Sequence, residues 1–210
     1  MKKLITLIVL ALVAAPAFAE EFSIGLKAGY SKADASNIYI GLLSLTEENK
    51  LPGFAGIEFT VQDYISEDMM MGLKIGAEGL YPLNYRIESA SDYVQWRSIP
   101  LRAPATLFLR IVPYDSAFSF WFGGGATYVY VFEELSYSMS GSTGKETGYS
   151  DGFFGHIKAG LEWRLCSWFS LGLDGGYNFP AKINGKFLST IPTAIDMSGF
   201  EGSLTTRFYF

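Results

Sequence analysis

The chain carries one histidine, His156, and one cysteine, Cys166, and these are its strongest candidates for a base or a nucleophile. A catalytic imidazole needs a nucleophile within reach and a third group to orient it. Ser150 and Asp151 lie near His156 in sequence, so an acyl-transfer site stays open beside the plainer reading of a buried hydrogen-bonding histidine. One histidine and one cysteine cannot furnish a metal-ligand set, and no cofactor is expected. A larger ionisable set is spread along the chain: Lys27, Glu58, Lys74, Glu78, Arg102, Arg110, Lys158, Glu162, Arg164, Asp174, Glu201 and Arg207. Its chemistry is ion pairing or ion passage, and which of the two depends on how the chain gathers it.

Each of these charges falls on the polar parity of an alternating segment. Lys27 belongs to Phe22–Lys32, where Phe22, Ile24, Leu26, Ala28 and Tyr30 alternate with Ser23, Gly25, Lys27, Gly29 and Ser31. Gly53–Gln62, Met69–Tyr81, Tyr93–Ile111, Ala117–Glu133, Gly152–Leu165, Trp168–Phe179 and Gly199–Phe210 repeat the pattern. Successive strand residues point to opposite faces, so each segment predicts a strand with one apolar and one polar face. Eight such strands with no helical pattern between them imply antiparallel pairing, because parallel strands need crossover elements. The connections alternate in length. Ala33–Pro52, Pro82–Asp92, Glu134–Asp151 and Pro180–Ser198 are long, while Asp63–Asp68, Val112–Ser116 and Cys166–Ser167 are short. Long loops on one side and tight turns on the other predict an all-β fold, an eight-stranded antiparallel up-and-down transmembrane β-barrel.

Aromatic residues on the apolar face gather at strand ends. Phe22, Phe118, Trp163, Phe169 and Phe210 fall toward the turns; Tyr30, Tyr81, Tyr128, Tyr130, Tyr177, Phe179 and Phe200 fall toward the loops. Two such girdles mark a lipid-facing exterior. The polar face then lines the lumen, and the near balance of signs predicts a salt-bridge network, since an unpaired buried charge is costly. Glycines on that face, among them Gly25, Gly72, Gly160 and Gly172, leave room for long charged side chains. Barrels of eight strands are filled by their own side chains, which predicts a polar plug; an ion or solute path is the alternative.

Residues 1–19 read as a cleaved secretory signal peptide: Lys2 and Lys3, the apolar run Leu4–Ala15, and Ala17-Phe18-Ala19 as a cleavage site. The barrel domain is then 20–210. Setting aside Lys2 and Lys3 leaves 14 basic against 21 acidic residues, a formal charge of −7, which argues against a nucleic-acid partner. A single cysteine excludes internal disulfides. Cys166, in a tight turn, is expected to be an incidental small residue.

With strands, girdles and leader in place, the chain resembles the small Gram-negative outer-membrane β-barrel proteins, the OmpA-transmembrane-domain, OmpX and OmpW-like "porin family" group. Phe208-Tyr209-Phe210 matches the aromatic-x-aromatic end of that group's C-terminal sorting signal, with Phe208 and Phe210 as its aromatics; Thr205 stands where a glycine is common. Ile99-Pro100-Leu101 looks like the group's Ile-Pro-Leu strand. Pro100 and Pro104 each remove a ladder donor, so a bulge is expected there. Some barrels of this kind modify lipid A. The deacylase pattern resembles His-x-Ser, but Lys158 takes the serine position here. The resemblance implies an outer-membrane location and, as partners, the outer-membrane assembly machinery and outer-membrane lipid including lipopolysaccharide. The expected function is a non-enzymatic, surface-exposed structural or adhesion protein whose loops offer a face to an extracellular partner. A narrow solute channel is the alternative, and a lipid A-modifying enzyme a more distant one. Ile38, Tyr39, Ile40, Leu42 and Leu43 in the first loop and Phe187, Leu188, Ile191 and Ile195 in the last are its apolar candidates.

Overall fold

The computed structural model describes residues 21–31, 39–40, 43–44, 46–47, 53–88, 92–114, 116–139, 141–180, 182–184 and 194–210. The leader at 1–19 lies outside them, as do Ile38, Leu42, Phe187, Leu188 and Ile191 of the loops. The main strands are β1 (Glu21–Ser31), β2 (Gly53–Ser66), β3 (Met69–Leu80), β4 (Tyr93–Ile111), β5 (Phe118–Met139), β6 (Ser142–Cys166), β7 (Phe169–Asn178) and β8 (Gly199–Tyr209). Each pairs antiparallel with its sequence neighbours, and β1 pairs with β8 from Ser23↔Tyr209 to Ser31↔Glu201. The sheet therefore closes into a ring of eight strands. Closure satisfies every strand edge within the ring, which a bilayer requires because lipid offers no hydrogen-bond partner.

Alternation sets which side chains point out. Leu107 and Leu204 are each 67% exposed although they sit in mid-strand, and Leu26, Ile157 and Leu173 share the exterior. Each large aliphatic group contributes about 1.5–3 kcal/mol when an apolar medium covers it. The two girdles form in space. On the turn side Phe118 stacks on Trp163 at 5.6 Å, Phe169 meets Phe208 at 5.3 Å, and Phe22 meets Phe210 at 6.1 Å. On the loop side Tyr128 meets Phe153 at 4.9 Å, Tyr177 meets Phe200 at 5.1 Å, and Tyr130 stacks on Tyr149 at 5.8 Å. On β6, Phe153 and Trp163 are ten residues apart. At ~3.3 Å per residue and a tilt near 40°, they bracket an apolar band about 25 Å tall.

Two expectations are corrected. No bulge forms at Pro100 or Pro104: the register with β5 runs unbroken from Tyr93↔Ser138 to Ile111↔Phe120. The prolines fall where the other neighbour makes no demand. The pairing with β3 has a gap between Ile75↔Ala105 and Glu78↔Arg102 that brackets Pro104. Pro100 lies between the last β3 pair, Gly79↔Leu101, and Leu83↔Ser98, the first pair of the short strand Leu83–Glu88. Irregular register occurs instead beside two tight turns, at Tyr64/Ser66 and Arg164/Cys166.

The second correction concerns the loops. Glu134–Asp151 is not a loop but the top of a hairpin, paired continuously up to Ser142↔Met139. Ser, Thr and Gly are compatible with strand once a partner strand is present, and their polarity alone does not make a loop. Gly141 turns the tip at φ 83°, a conformation that favours glycine. Within Pro82–Asp92, Leu83–Glu88 pairs with Tyr93–Ser98 of β4, and Thr46–Glu47 pairs with Tyr85 and Arg86 in turn. Lys182–Asn184 pairs with Ala194–Asp196 in the last loop, and Tyr39–Ile40 with Leu43–Ser44 in the first. The sheet thus continues above the loop-side girdle.

Candidate functional site in the barrel interior

Inward residues of the eight strands stack in layers. The layer nearest the loops is apolar. Phe54, Leu80, Leu83, Val94, Trp96, Val129, Val131, Leu135, Phe154 and Met197 form one buried cluster, with Tyr137 packed against it. Within it, between Val131 and Leu135, Glu133 accepts from the Ser150 hydroxyl at 2.7 Å.

A first ionic cluster lies under Phe54. Arg102 reaches Glu78 at 2.5 Å and Glu201 at 3.0 Å, and donates to the Ser31 hydroxyl at 2.9 Å. Lys158 pairs with Glu201 at 2.5 Å and Lys27 with Glu78 at 3.5 Å. Asn178 donates to Glu201 at 3.0 Å. The guanidinium of Arg102 lies 4.8 Å from the Phe54 ring centre, so a cation–π contact joins this cluster to the apolar layer. Arg102 is on β4 and Glu201 on β8, four strands apart in either direction around the ring. Their contact crosses the full width of the barrel.

His156 sits between the clusters, 1% exposed. Its Nε2 lies 2.8 Å from the Thr106 hydroxyl and its Nδ1 2.9 Å from that of Thr127. A neutral imidazole offers one donor and one acceptor, and a hydroxyl can serve either, so both ring nitrogens are engaged. Ser150 faces Glu133, while Asp151 points outward and accepts from Tyr128 at 3.2 Å. The structure does not bring Ser150 or Asp151 to the imidazole.

The second cluster centres on Arg207, which is fully buried. It contacts Glu162 at 2.6 Å, Glu58 at 2.9 Å and Asp174 at 3.4 Å. Arg110 pairs with Glu162 at 2.7 Å and donates to the Tyr209 hydroxyl at 3.1 Å; that hydroxyl in turn donates to Glu162. Arg110–Tyr209 is a second contact between the opposed strands β4 and β8. Asp174 accepts from Thr205 at 2.7 Å and from the Trp121 indole at 3.2 Å. Lys74 lies 3.9 Å from Glu58 and 3.2 Å from the Trp121 ring centre. Glycine makes this density feasible: a Cβ at Gly160 would meet Trp121 Nε1 and Asp174 Oδ1, each at 2.4 Å. At the turn-side mouth Arg164 pairs with Glu21 at 2.9 Å.

In these two clusters six cations (Lys27, Lys74, Arg102, Arg110, Lys158, Arg207) thus meet five carboxylates (Glu58, Glu78, Glu162, Asp174, Glu201), and Glu133 in the apolar layer is a further buried carboxylate among the described residues. Phe208 and Phe210 face outward with the turn-side girdle, where the Phe210 amide donates to the Phe22 carbonyl at 2.9 Å. Cys166 is exposed beside the turn at Ser167–Trp168. The inward aromatics Trp96, Phe108 and Trp121 and the apolar layer are the parts that charge patterning does not mark. Their signal is parity alone: Phe108 and Trp121 lie between outward residues of an unbroken apolar run.

No family model and no curated protein matches the chain. Solved structures do. The outer membrane protein OprG from Pseudomonas aeruginosa is 16% identical, with 91% of this chain and 96% of that one covered at a TM-score of 0.48. For the outer membrane protein W of E. coli the values are 13%, 91%, 98% and 0.44. For Ail, the attachment invasion locus protein of Yersinia pestis, they are 14%, 92%, 100% and 0.38. A likeness at this level concerns fold and says nothing of ligand or activity. On its own strand pairing, aromatic girdles and apolar band, this chain is an eight-stranded antiparallel β-barrel with a membrane-spanning exterior.

Proposed function

We propose that this barrel is a sealed, non-enzymatic scaffold. It anchors an extracellular β-extension in the outer membrane and conducts neither ions nor small solutes. The observation that carries this is the contact across the barrel: Arg102 on β4 meets Glu201 on β8 at 3.0 Å. Arg110–Tyr209 repeats the crossing nearer the turns, and the Trp96 layer roofs both. A solute would have to separate hydrogen-bonded ion pairs that share a low-dielectric interior, at several kcal/mol for each unpaired charge. The engagement of both His156 nitrogens by threonine hydroxyls supports a structural histidine over a catalytic one. The work of the protein then falls to the sheet above the girdle, built from the tops of β4, β5 and β6 and the short strand Leu83–Glu88, as surfaces on a rigid scaffold commonly carry binding.

Swelling of proteoliposomes in small sugars and amino acids tests the seal. Rates equal to protein-free liposomes are expected; size-dependent swelling proportional to folded protein would replace the scaffold by the channel.

A further inference from the structure

The two halves of the lumen satisfy their polar groups differently. Ser31, Thr106, Thr127 and Thr205 each meet a protein partner within 2.9 Å. Nearer the turns, three inward polar side chains do not. Register places Ser23, Thr60 and Lys74 side by side on β1, β2 and β3. They are 1%, 1% and 2% exposed. Ser23 Oγ, Thr60 Oγ1 and Lys74 Nζ have no hydrogen-bond partner among the described residues. Glu58 lies 3.9 Å from the Lys74 ammonium, beyond hydrogen-bond reach, and the Trp121 ring takes one of its sides. One inward position closer to the turns, the Gln62 side-chain oxygen is likewise without a partner.

Spacing and charge select the ligand. Directly opposed strand residues hold their Cβ atoms ~4.5–5.5 Å apart, and a serine or threonine hydroxyl is one bond beyond Cβ. That separation is too long for a direct bond and suits one water molecule between two bonds of about 2.8 Å each. A buried polar atom left unpaired is costly, and one water serves about two to four such groups. The three N–H groups of an ammonium need acceptors, which water supplies. An anion is disfavoured, because Lys74, Arg110 and Arg207 already face Glu58, Glu162 and Asp174 in equal number. Solvent is close. Arg164 and Glu21 pair at the turn-side mouth, both partly exposed, and Gln62 donates to the same Glu21 at 2.5 Å.

We propose that Gln62, Ser23 and Thr60 bind a file of ordered water that enters at the turn-side mouth and ends on the Lys74 ammonium. Lys74 is five residues along β3 from Met69. At ~3.3 Å per residue and a tilt near 40°, water then reaches about 13 Å into the barrel, roughly half of the apolar band. In the layer above, Lys27 and Lys158 meet carboxylates directly, at 3.5 and 2.5 Å, and need no water. The file concerns entry from the turn side alone, so it is independent of whether the lumen is sealed above it.

The test uses the full folded chain in lipid vesicles, with bulk water as the probe. Solid-state NMR follows polarisation passing from water to the lysine ammonium nitrogens. Lys74 is expected to gain signal nearly as fast as exposed Lys145, and several-fold faster than Lys27 and Lys158, which are no more buried than Lys74. A build-up at Lys74 as slow as at those two overturns the proposal. Stability gives a second reading. Replacing an unpartnered buried hydroxyl by a methyl group is neutral or stabilising, whereas removing one that holds water on a charge is not. Thr60→Val should therefore lower the urea midpoint by roughly 0.5 M, and should have no effect in a Lys74→Met background. A midpoint that stays or rises, or an equal fall in both backgrounds, also overturns the proposal. Heat-modifiable gel mobility verifies folding, and the wild-type build-up decides the matter if Lys74→Met does not fold.

Discussion

Arg207→Met is the most informative single substitution in the interior. Methionine keeps most of the aliphatic volume and removes the guanidinium that contacts Glu58, Glu162 and Asp174 at 2.9, 2.6 and 3.4 Å. Arg110 still holds Glu162 at 2.7 Å, and Thr205 and Trp121 still donate to Asp174. Glu58 keeps only Lys74 at 3.9 Å among the ion pairs described for it. The loss is therefore that of a broken buried pair, about 3–5 kcal/mol. With a urea dependence near 2 kcal/mol per molar, the unfolding midpoint of the barrel in lipid vesicles should fall by ~2 M. Adding Glu58→Gln to Arg207→Met removes the stranded charge and should return roughly half of that. Lys145→Ala breaks only an exposed pair, where the cost is about 0–1 kcal/mol. If Arg207→Met shifts the midpoint no more than Lys145→Ala does, the ionic interior contributes little to holding the barrel together.

Other consequences are open to test. His156→Leu should leave the mass spectrum of lipid A unchanged in expressing cells; stranding the Thr106 and Thr127 hydroxyls should cost about 2–4 kcal/mol of stability, read from the same urea titration. Leu107→Arg places a cation on the apolar band and should destabilise by roughly 2–4 kcal/mol in a bilayer, against much less in detergent, which solvates the charge. Trp96→Ala should cost about 3–5 kcal/mol, because its ring lies within the apolar layer. Cys166 gives a test of sidedness: a membrane-impermeant maleimide should label it only in permeabilised cells, while a cysteine placed at Lys145 in a Cys166→Ala background should be labelled in intact ones.

The strand number and the faces were legible because alternation and charge act together. Lys27, Lys74 and Arg102 each sit between apolar neighbours, and a charge between two lipid-facing groups has only the interior to occupy. Where both parities are apolar the signal disappears. Val129 and Val131 lie between Tyr128, Tyr130 and Phe132, so nothing in their type announces that they roof the lumen. Trp121 is hidden in the same way between Phe120 and Phe122. The height of the β5–β6 hairpin was illegible for the opposite reason. Ser142–Tyr149 has the composition of a loop, and only pairing with Met139–Phe132 makes it a strand. The prolines of β4 misled because ladder demand depends on the neighbour: Pro104 faces a gap in the pairing with β3, and Pro100 the place where β3 gives way to another strand. His156 was legible as a buried polar group, whereas its partners Thr106 and Thr127, on two other strands, follow only from the closed ring.

The seal is tested most directly by conductance of the purified barrel in planar bilayers. With Arg102 and Arg110 bridging the lumen from β4 to β8, the account predicts no steady current from the folded protein, and openings only when those crossings are removed, as in Arg102→Ser with Glu201→Ser. Steady wild-type currents that scale with inserted protein would contradict it.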